Sequence, residues 1–340
     1  MGHVFVEFDL AGAEWVVTAY LSRDPNMIGV VESGKSPHVV TGALIMGGPE
    51  ELVLKDHELI GSLTDADSIE ALRSEHIPEY SQRNNGLFWP RSMSVRQAGK
   101  KSNHGCNYGM QYRRFAMENE MPETDAKPIV EMYSGKAYPG LKDNYWAETR
   151  EILRKGRTLE NCFGRRVKLL GEWGNDLFMA AYSFRPQSTV VDISNRAMCM
   201  IFEEETDDFE LVGLRAQVHD SLMIMHPTPT NEDEYIRMAT NCYRIMYDFM
   251  SPELTYGAFS FTLGVDMKVG VSWGKMSGIK DKSSPLTIAK GLMEIIPTLG
   301  LSAVDLTGQE LVDQAASEEW EAGEQMRDHL GQEEPALLAS

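Results

Sequence analysis

Between Pro90 and Met117 the chain reads PRSMSVRQAGKKSNHGCNYGMQYRRFAM, with six Arg or Lys and no Asp or Glu, inside a protein of formal net charge -19. So sharp a local reversal of charge marks a surface suited to phosphate. From Arg96 the spacing is helical: Arg96, Lys100 and His104 follow at i, i+4 and i+8 and line one face, with Asn103 and Asn107 expected on the same side. A solvated basic helix has the same composition, so residues elsewhere must decide whether this face has a task. Two Asp residues at the ends of predicted elements are its natural counterparts. Asp9 closes a stretch from His3 that alternates, Val4, Val6 and Phe8 on one side and Phe5, Glu7 and Asp9 on the other, as a half-buried strand does. Asp220 falls between the apolar runs Leu211–Val218 and Leu222–Met225, at the tip of a predicted hairpin. Taken singly, an Asp after a strand caps the next helix and an Asp in a turn is commonplace.

The elements around these residues can be read in outline. A helix is predicted over Ala11–Leu21, ended by Asp24-Pro25-Asn26. Gly29–Ser36, GVVESGKS, matches the phosphate-loop pattern GxxxxGK(S/T), but a helix end precedes it and Pro37 follows it. The strand before the loop and the helix opening at its Lys are both missing, so the match is set aside. Residues 44–90 are polar and read as a helical insertion. Helical periodicity covers Thr124–Lys155, broken at Pro139-Gly140; Gly156–Gly171 reads as a hairpin turning at Gly164. Gln187–Phe202 should be a helix with Val190, Ile193, Ala197 and Ile201 on its buried face. Near the end, Ser284 caps a predicted helix to Ile296 with Pro285 at its first position, and Asp305–Gln332 reads as an acidic helix or arm.

Composition sets the bounds. With 340 residues and 42% hydrophobic content the chain can bury a sizeable core. Its four Cys are far apart with no CxxC, which disfavours a disulfide framework or a Cys-type zinc site and fits a reducing cytoplasm. The N-terminus has no signal-peptide pattern and no segment offers about 18 uninterrupted apolar residues, so a soluble protein is expected. Beyond Trp273 there are 12 Asp or Glu against 5 Lys or Arg, and the rest of the chain carries -12. Any contact with nucleic acid must therefore be a local basic channel.

Taken in order, three stretches resemble the family A DNA polymerases, those of the bacterial DNA polymerase I type. Asp9-Leu10-Ala11-Gly12-Ala13-Glu14 resembles the first palm motif, Arg96-x3-Lys100-x3-His104-x3-Tyr108-Gly109 the fingers signature, and Gln217-Val218-His219-Asp220 the last palm motif. The resemblance runs from about Phe5 to Gly274 and implies an α+β fold: a polymerase palm, an antiparallel sheet backed by helices, with a largely helical fingers domain and no thumb. The palm would take 1–29 and 176–274, the fingers 30–175 with an insertion at 44–90, and an acidic extension 275–340. By the same resemblance Asp9 and Asp220 are catalytic and bind two Mg2+ ions, with Mn2+ as an alternative. Arg96 and Lys100 would hold the triphosphate of a dNTP, with His38 near its phosphates. His104 stands where the family stacks a Phe or Tyr on base and sugar, Tyr108 closes the pocket over the ribose, and Glu14 blocks the 2′ position. Gln187 would read the minor groove at the primer end, Arg165 and Arg166 would meet the template backbone, and His219 would join the DNA contacts. Ser221 departs from the family's Glu after the last motif, and Met179 and Ser183 from the Arg and Asn upstream of Gln187.

The function so implied is the catalytic part of a DNA-directed DNA polymerase, in the cytoplasm (of a bacterial host if phage-encoded), with primer-template DNA and dNTPs as partners and no membrane. Because the chain begins eight residues before Asp9, a second polypeptide is expected to supply the thumb and first palm strands, with or without an exonuclease, as in some bacteriophage systems. The rivals are a non-catalytic DNA- or partner-binding subunit of the same ancestry and a single-subunit RNA polymerase, which would not be expected to carry a bulky Glu at position 14.

Overall fold

Strand β1 (His3–Leu10) buries Val4, Val6, Phe8 and Leu10 completely on one face, which is the alternation its sequence predicts. The computed structural model describes residues 2–81, 86–119, 121–204 and 209–299. After β1 come helices α1 (Ala13–Ser22), α2 (Pro25–Glu32), α3 (Pro37–Met46), α4 (Glu50–Ile60), α5 (Ala66–His76) and α6 (Pro78–Ser81). Helices α7 (Val95–Asn107), α8 (Tyr112–Glu118) and α9 (Glu123–Met132) follow, then two π-helical turns on either side of Pro139-Gly140, and α10 (Ala147–Lys155). A small hairpin, β2 (Thr158–Glu160) and β3 (Arg166–Lys168), leads to the long helix α11 (Asn175–Glu203). The chain then forms β4 (Gly213–Val218), β5 (Ser221–Pro227), α12 (Glu232–Arg244), the hairpin β6 (Leu254–Tyr256) and β7 (Phe259–Phe261), β8 (Val265–Ser272), β9 (Lys275–Gly278) and α13 (Pro285–Ile295).

The main sheet is antiparallel, in the order β4-β5-β1-β8-β9. Its apolar face, which adds Leu222, Ile224, Met267 and Val269, shares one core with Val190, Ile193, Ala197 and Ile201 of α11 and with α12 and α13. The four residues that the sequence predicts on the buried face of α11 are all buried, but the helix starts at Asn175, earlier than the predicted Gln187. It runs through Pro186, whose missing N–H leaves the Tyr182 carbonyl free; the Tyr145 hydroxyl donates to that oxygen at 2.6 Å, so the helix continues. Ser284 caps α13 as predicted, in a reciprocal capping box with Thr287. Strand β9 and α13 are thus built into the sheet and core, whereas the predicted acidic stretch Asp305–Gln332 lies outside the described residues. GVVESGKS is the last part of α2, its turn and the N-cap of α3; a helix thus opens right after it at Pro37, contrary to the expectation, but a helix and not a strand precedes it.

Helices α3 and α7 touch backbone to backbone. A Cβ on Gly99 would stand 2.2 Å from the His38 carbonyl, so only glycine allows this crossing. Helices α4 and α5 brace the start of α7. Asp56 on α4 and Arg73 on α5, both fully buried, pair at 2.7 Å; Arg73 also donates to the carbonyls of Pro90 and Met93, and Asp56 accepts the Val95 N–H at 2.6 Å. Every polar atom of the pair that points at the chain before α7 has a partner there, as burial of charge requires. Arg73→Ala, which leaves Asp56 buried without its cation, is expected to destabilise the protein by about 3–5 kcal/mol. Urea denaturation reads this, and a loss below about 1 kcal/mol would show that the pair is no brace.

Candidate active site

The polar face of the sheet holds the carboxylates. Asp9 lies opposite Ser221 of β5 on one side and opposite Asp266 of β8 on the other. Asp220 occupies the two-residue turn between β4 and β5, where His219 takes a left-handed backbone (φ 54°), and the Leu10 N–H donates to the Asp220 carbonyl at 3.3 Å. That bond pins the turn beside the end of β1. Burial first, and then the charge of Asp220, push the carboxyl of Asp9 up to about 6; Glu7 and Asp266 add to this and Lys268 opposes it. Burial also opposes ionisation of Glu7, but hydrogen bonds from Lys268 Nζ and Trp273 Nε1, each 2.8 Å, outweigh it and hold that carboxyl below the ordinary range. Glu7 is therefore neutralised, while Asp9 and Asp220 face each other without an ion-pair partner among the described residues. The donors on offer are carboxylate oxygens, which suit a hard divalent ion such as Mg2+ or Mn2+. Among the described residues, no three acidic, His or Cys side chains already converge as a metal-binding group.

Helix α7 presents Arg96, half-buried, and Lys100 and His104, both exposed. Arg96 and Lys100 have no ion-pair partner among the described residues. Asn103 and Asn107 depart from the expectation that they share this face: both are buried, because they satisfy polar groups between helices. Asn103 Oδ1 accepts from Trp15 Nε1 (3.2 Å) and Thr41 Oγ1 (2.8 Å), and its amide nitrogen lies 3.1 Å from both the Pro37 carbonyl and His38 Nδ1. The indole can only donate, so the amide is oriented; His38 Nδ1 must then accept, which leaves the proton on Nε2. Burial, and then the charges of Arg96, Lys100 and His104, push His38 down to about 4, so this ring is neutral and stands beside the cationic face. Tyr108, buried at the end of α7, donates its hydroxyl to Glu14 Oε2 at 2.5 Å and joins α7 to the first turn of α1. Burial, and then the Glu14 charge, keep this phenol protonated.

The remaining predicted residues are not all free. Gln187 is exposed on α11 and His219 is exposed in its turn. Arg165, however, binds Asp192 (2.8 Å from Nε) and Arg166 binds Glu160 (2.5 Å), so both hairpin guanidiniums already have carboxylates. Lys268 and Asp266 were not singled out from the sequence, and neither the bond of Trp273 to Glu7 nor the hub at Asn103 was expected. The alternation of β1 puts Glu7 on the Asp9 side, but the register that adds β8 to that face has no local signature.

The sequence profile described as DNA polymerase family A matches residues 90–275. The chain is 26% identical over 284 residues to "DNA polymerase I, thermostable" of Thermus aquaticus, covering 80% of this chain and 27% of that protein. To the protein of that name from Thermus thermophilus it is 26% identical over 289 residues, covering 82% and 28%. Among solved structures it is similar to the POL domain of Pol1 from M. smegmatis in complex with DNA primer-template and dNTP, with a TM-score of 0.55 and 19% identity over 79% of this chain and 40% of that one. The chain thus spans under a third of the length of these Thermus proteins.

The raised carboxyl of Asp9 has a sign that can be tested without substrate. A folded-state value above the unfolded one favours the folded protein at low pH, and that contribution is lost as pH rises from about 4 through about 6. In EDTA at pH 7.5, Asp9→Asn should therefore be more stable than wild type by about 1–2 kcal/mol, after discounting for the half-exposed setting, and the gap should close near pH 4. Thermal melts across that range read it, and equal midpoints at pH 7.5 would remove the repulsion between the two carboxylates.

Proposed function

The chain belongs to DNA polymerase family A, and from that membership we propose that it is the catalytic part of a DNA-directed DNA polymerase, adding deoxynucleotides to a primer 3′ end. The observation that carries this reading is the pair Asp9 and Asp220, held together by the Leu10–Asp220 bond although their charges repel. Two carboxylates held close, with no Lys or Arg paired to either among the described residues, suit a divalent ion. Asp9 and Asp220 would hold two divalent ions, which supply Lewis-acid charge to the primer hydroxyl and the leaving pyrophosphate. Arg96 and Lys100, free of carboxylate partners, would bind the triphosphate, and neutral His38 would donate Nε2–H to it. The Tyr108–Glu14 bond would form the wall against the 2′ position of the sugar, and exposed His104 would lie against the base. Gln187 and His219 would face the primer-template, with Arg165 and Arg166 joining only if the duplex displaces Asp192 and Glu160.

A second polypeptide supplying thumb and first palm strands belongs to the same reading. Strand β4 has no outer neighbour among the described residues, and Phe202 near the end of α11 is 88% exposed. Unpaired strand edges are surfaces that proteins usually cover.

Primer extension in Mg2+ tests the proposal. Asp9→Ala and Asp220→Ala should each lower incorporation by roughly 10³-fold or more with unchanged circular dichroism, and Glu14→Ala should let ribonucleotides in. Activity within tenfold of wild type in either Asp variant would sink the assignment. Co-expression with candidate subunits should recover a heteromer that extends primers faster than the chain alone; a rate indifferent to every co-purified subunit would dispose of the second polypeptide.

A further inference from the structure

Asp9 has two lateral neighbours in the sheet, Ser221 on β5 and Asp266 on β8. Residues directly opposed in an antiparallel pair share a face, with Cβ atoms about 4.5–5.5 Å apart. The hydrogen bonds already described agree: Glu7 and Lys268, the next opposed pair along the same two strands, meet at 2.8 Å on this face. The two neighbours differ in what they can give a cation. Ser221 is buried and neutral, and its Oγ donates to the Val218 carbonyl at 3.0 Å inside the turn. Asp266 is 58% exposed and charged, and accepts one bond, 2.7 Å, from Lys282 Nζ. Lys268, two residues along, is bound to Glu7 and does not compete for it. Lys282 lies beyond residue 275, where the match to the family profile stops.

We propose that Asp266 is a third carboxylate of the divalent-ion centre, standing on the opposite side of Asp9 from the position that Ser221 leaves without charge, and that Lys282 is its counter-ion while no metal is bound. The inference rests on the reading of Asp9 and Asp220 as metal ligands. Lys282 fits the second role because an ammonium on a four-carbon stem exchanges readily for water. Turned to Lys282, Asp266 leaves the three carboxylates unconverged; an entering divalent ion replaces the ammonium charge for charge and draws Asp266 toward Asp9. The arrangement also explains why position 221 tolerates Ser: the carboxylate is supplied from β8.

The test is Mn2+ binding by the full chain, followed through the paramagnetic resonance signal of free Mn2+, with no turnover needed. Asp9→Asn should weaken binding by tenfold or more. Asp266→Asn, an exposed and nearly isosteric change, should weaken it at least threefold. Lys282→Met should tighten it, and Ser221→Glu in the Asp266→Asn chain should restore it. If Asp9→Asn abolishes binding while Asp266→Asn stays within twofold of wild type and Lys282→Met changes nothing, the third carboxylate is wrong and the metal reading stands. If Asp9→Asn also binds as wild type does, both fall.

Discussion

The side chain of Asn103 sets where the cations stand relative to the carboxylates. Its oxygen takes the Trp15 indole of α1 and the Thr41 hydroxyl of α3, and its nitrogen faces the Pro37 carbonyl and His38. Trp15 is six residues from Asp9, and Arg96 and Lys100 are on the same helix as Asn103. The amide is therefore the joint between the strand that bears negative charge and the helix that bears positive charge. Because the amide is 2% exposed and Trp15 is buried, loss of the amide would strand the indole N–H at roughly 1–3 kcal/mol.

Electrostatics divides the sheet in the same way. One face is apolar and fully packed; on the other the protein pairs Glu7 with Lys268 and Trp273 and Asp266 with Lys282, but leaves Asp9 and Asp220 with each other. In a chain of net charge -19 this unpaired negative spot on the sheet has its counterpart in the unpaired cations of α7. The groups that join α7 to α1 and α3 are neutral on the α7 side, Asn103 and Tyr108, and the His38 beside them is uncharged.

Local patterns carried far into this fold. The alternation of β1, the hairpin tip at Asp220, the cap at Ser284 and the buried face of α11 are period and turn signals, and they were legible because each depends on neighbours within a few residues. What depends on distant partners was not. A helical wheel puts Asn103 and Asn107 at the same angle as Arg96 but says nothing of the Trp and Tyr that cover them. The α11 helix survives Pro186 only because Tyr145, 37 residues before Tyr182, supplies a donor. The stretch 44–90 reads as polar helix, and its part in holding α7 appears only once Arg73 is seen to reach Pro90 and Met93. Asp266 stayed hidden for the same reason, since register across strands is a property of the whole sheet.

The backbone contact at Gly99 has a consequence for motion. Helices that meet without intervening side chains cannot slide or roll separately, so α3 and α7 form one lever, and His38, Arg96 and Lys100 ride on it together. Its fulcrum is at Asn103, where the bond to Trp15 is made, and Arg96 lies seven residues away, roughly 10 Å along the helix. A rotation of about 10° there would carry Arg96 by about 2 Å and Tyr108, on the other side of the fulcrum, by about 1.3 Å in the opposite direction. The end of the lever that bears the cations thus travels farther than the end tied to Glu14, and the two move against each other.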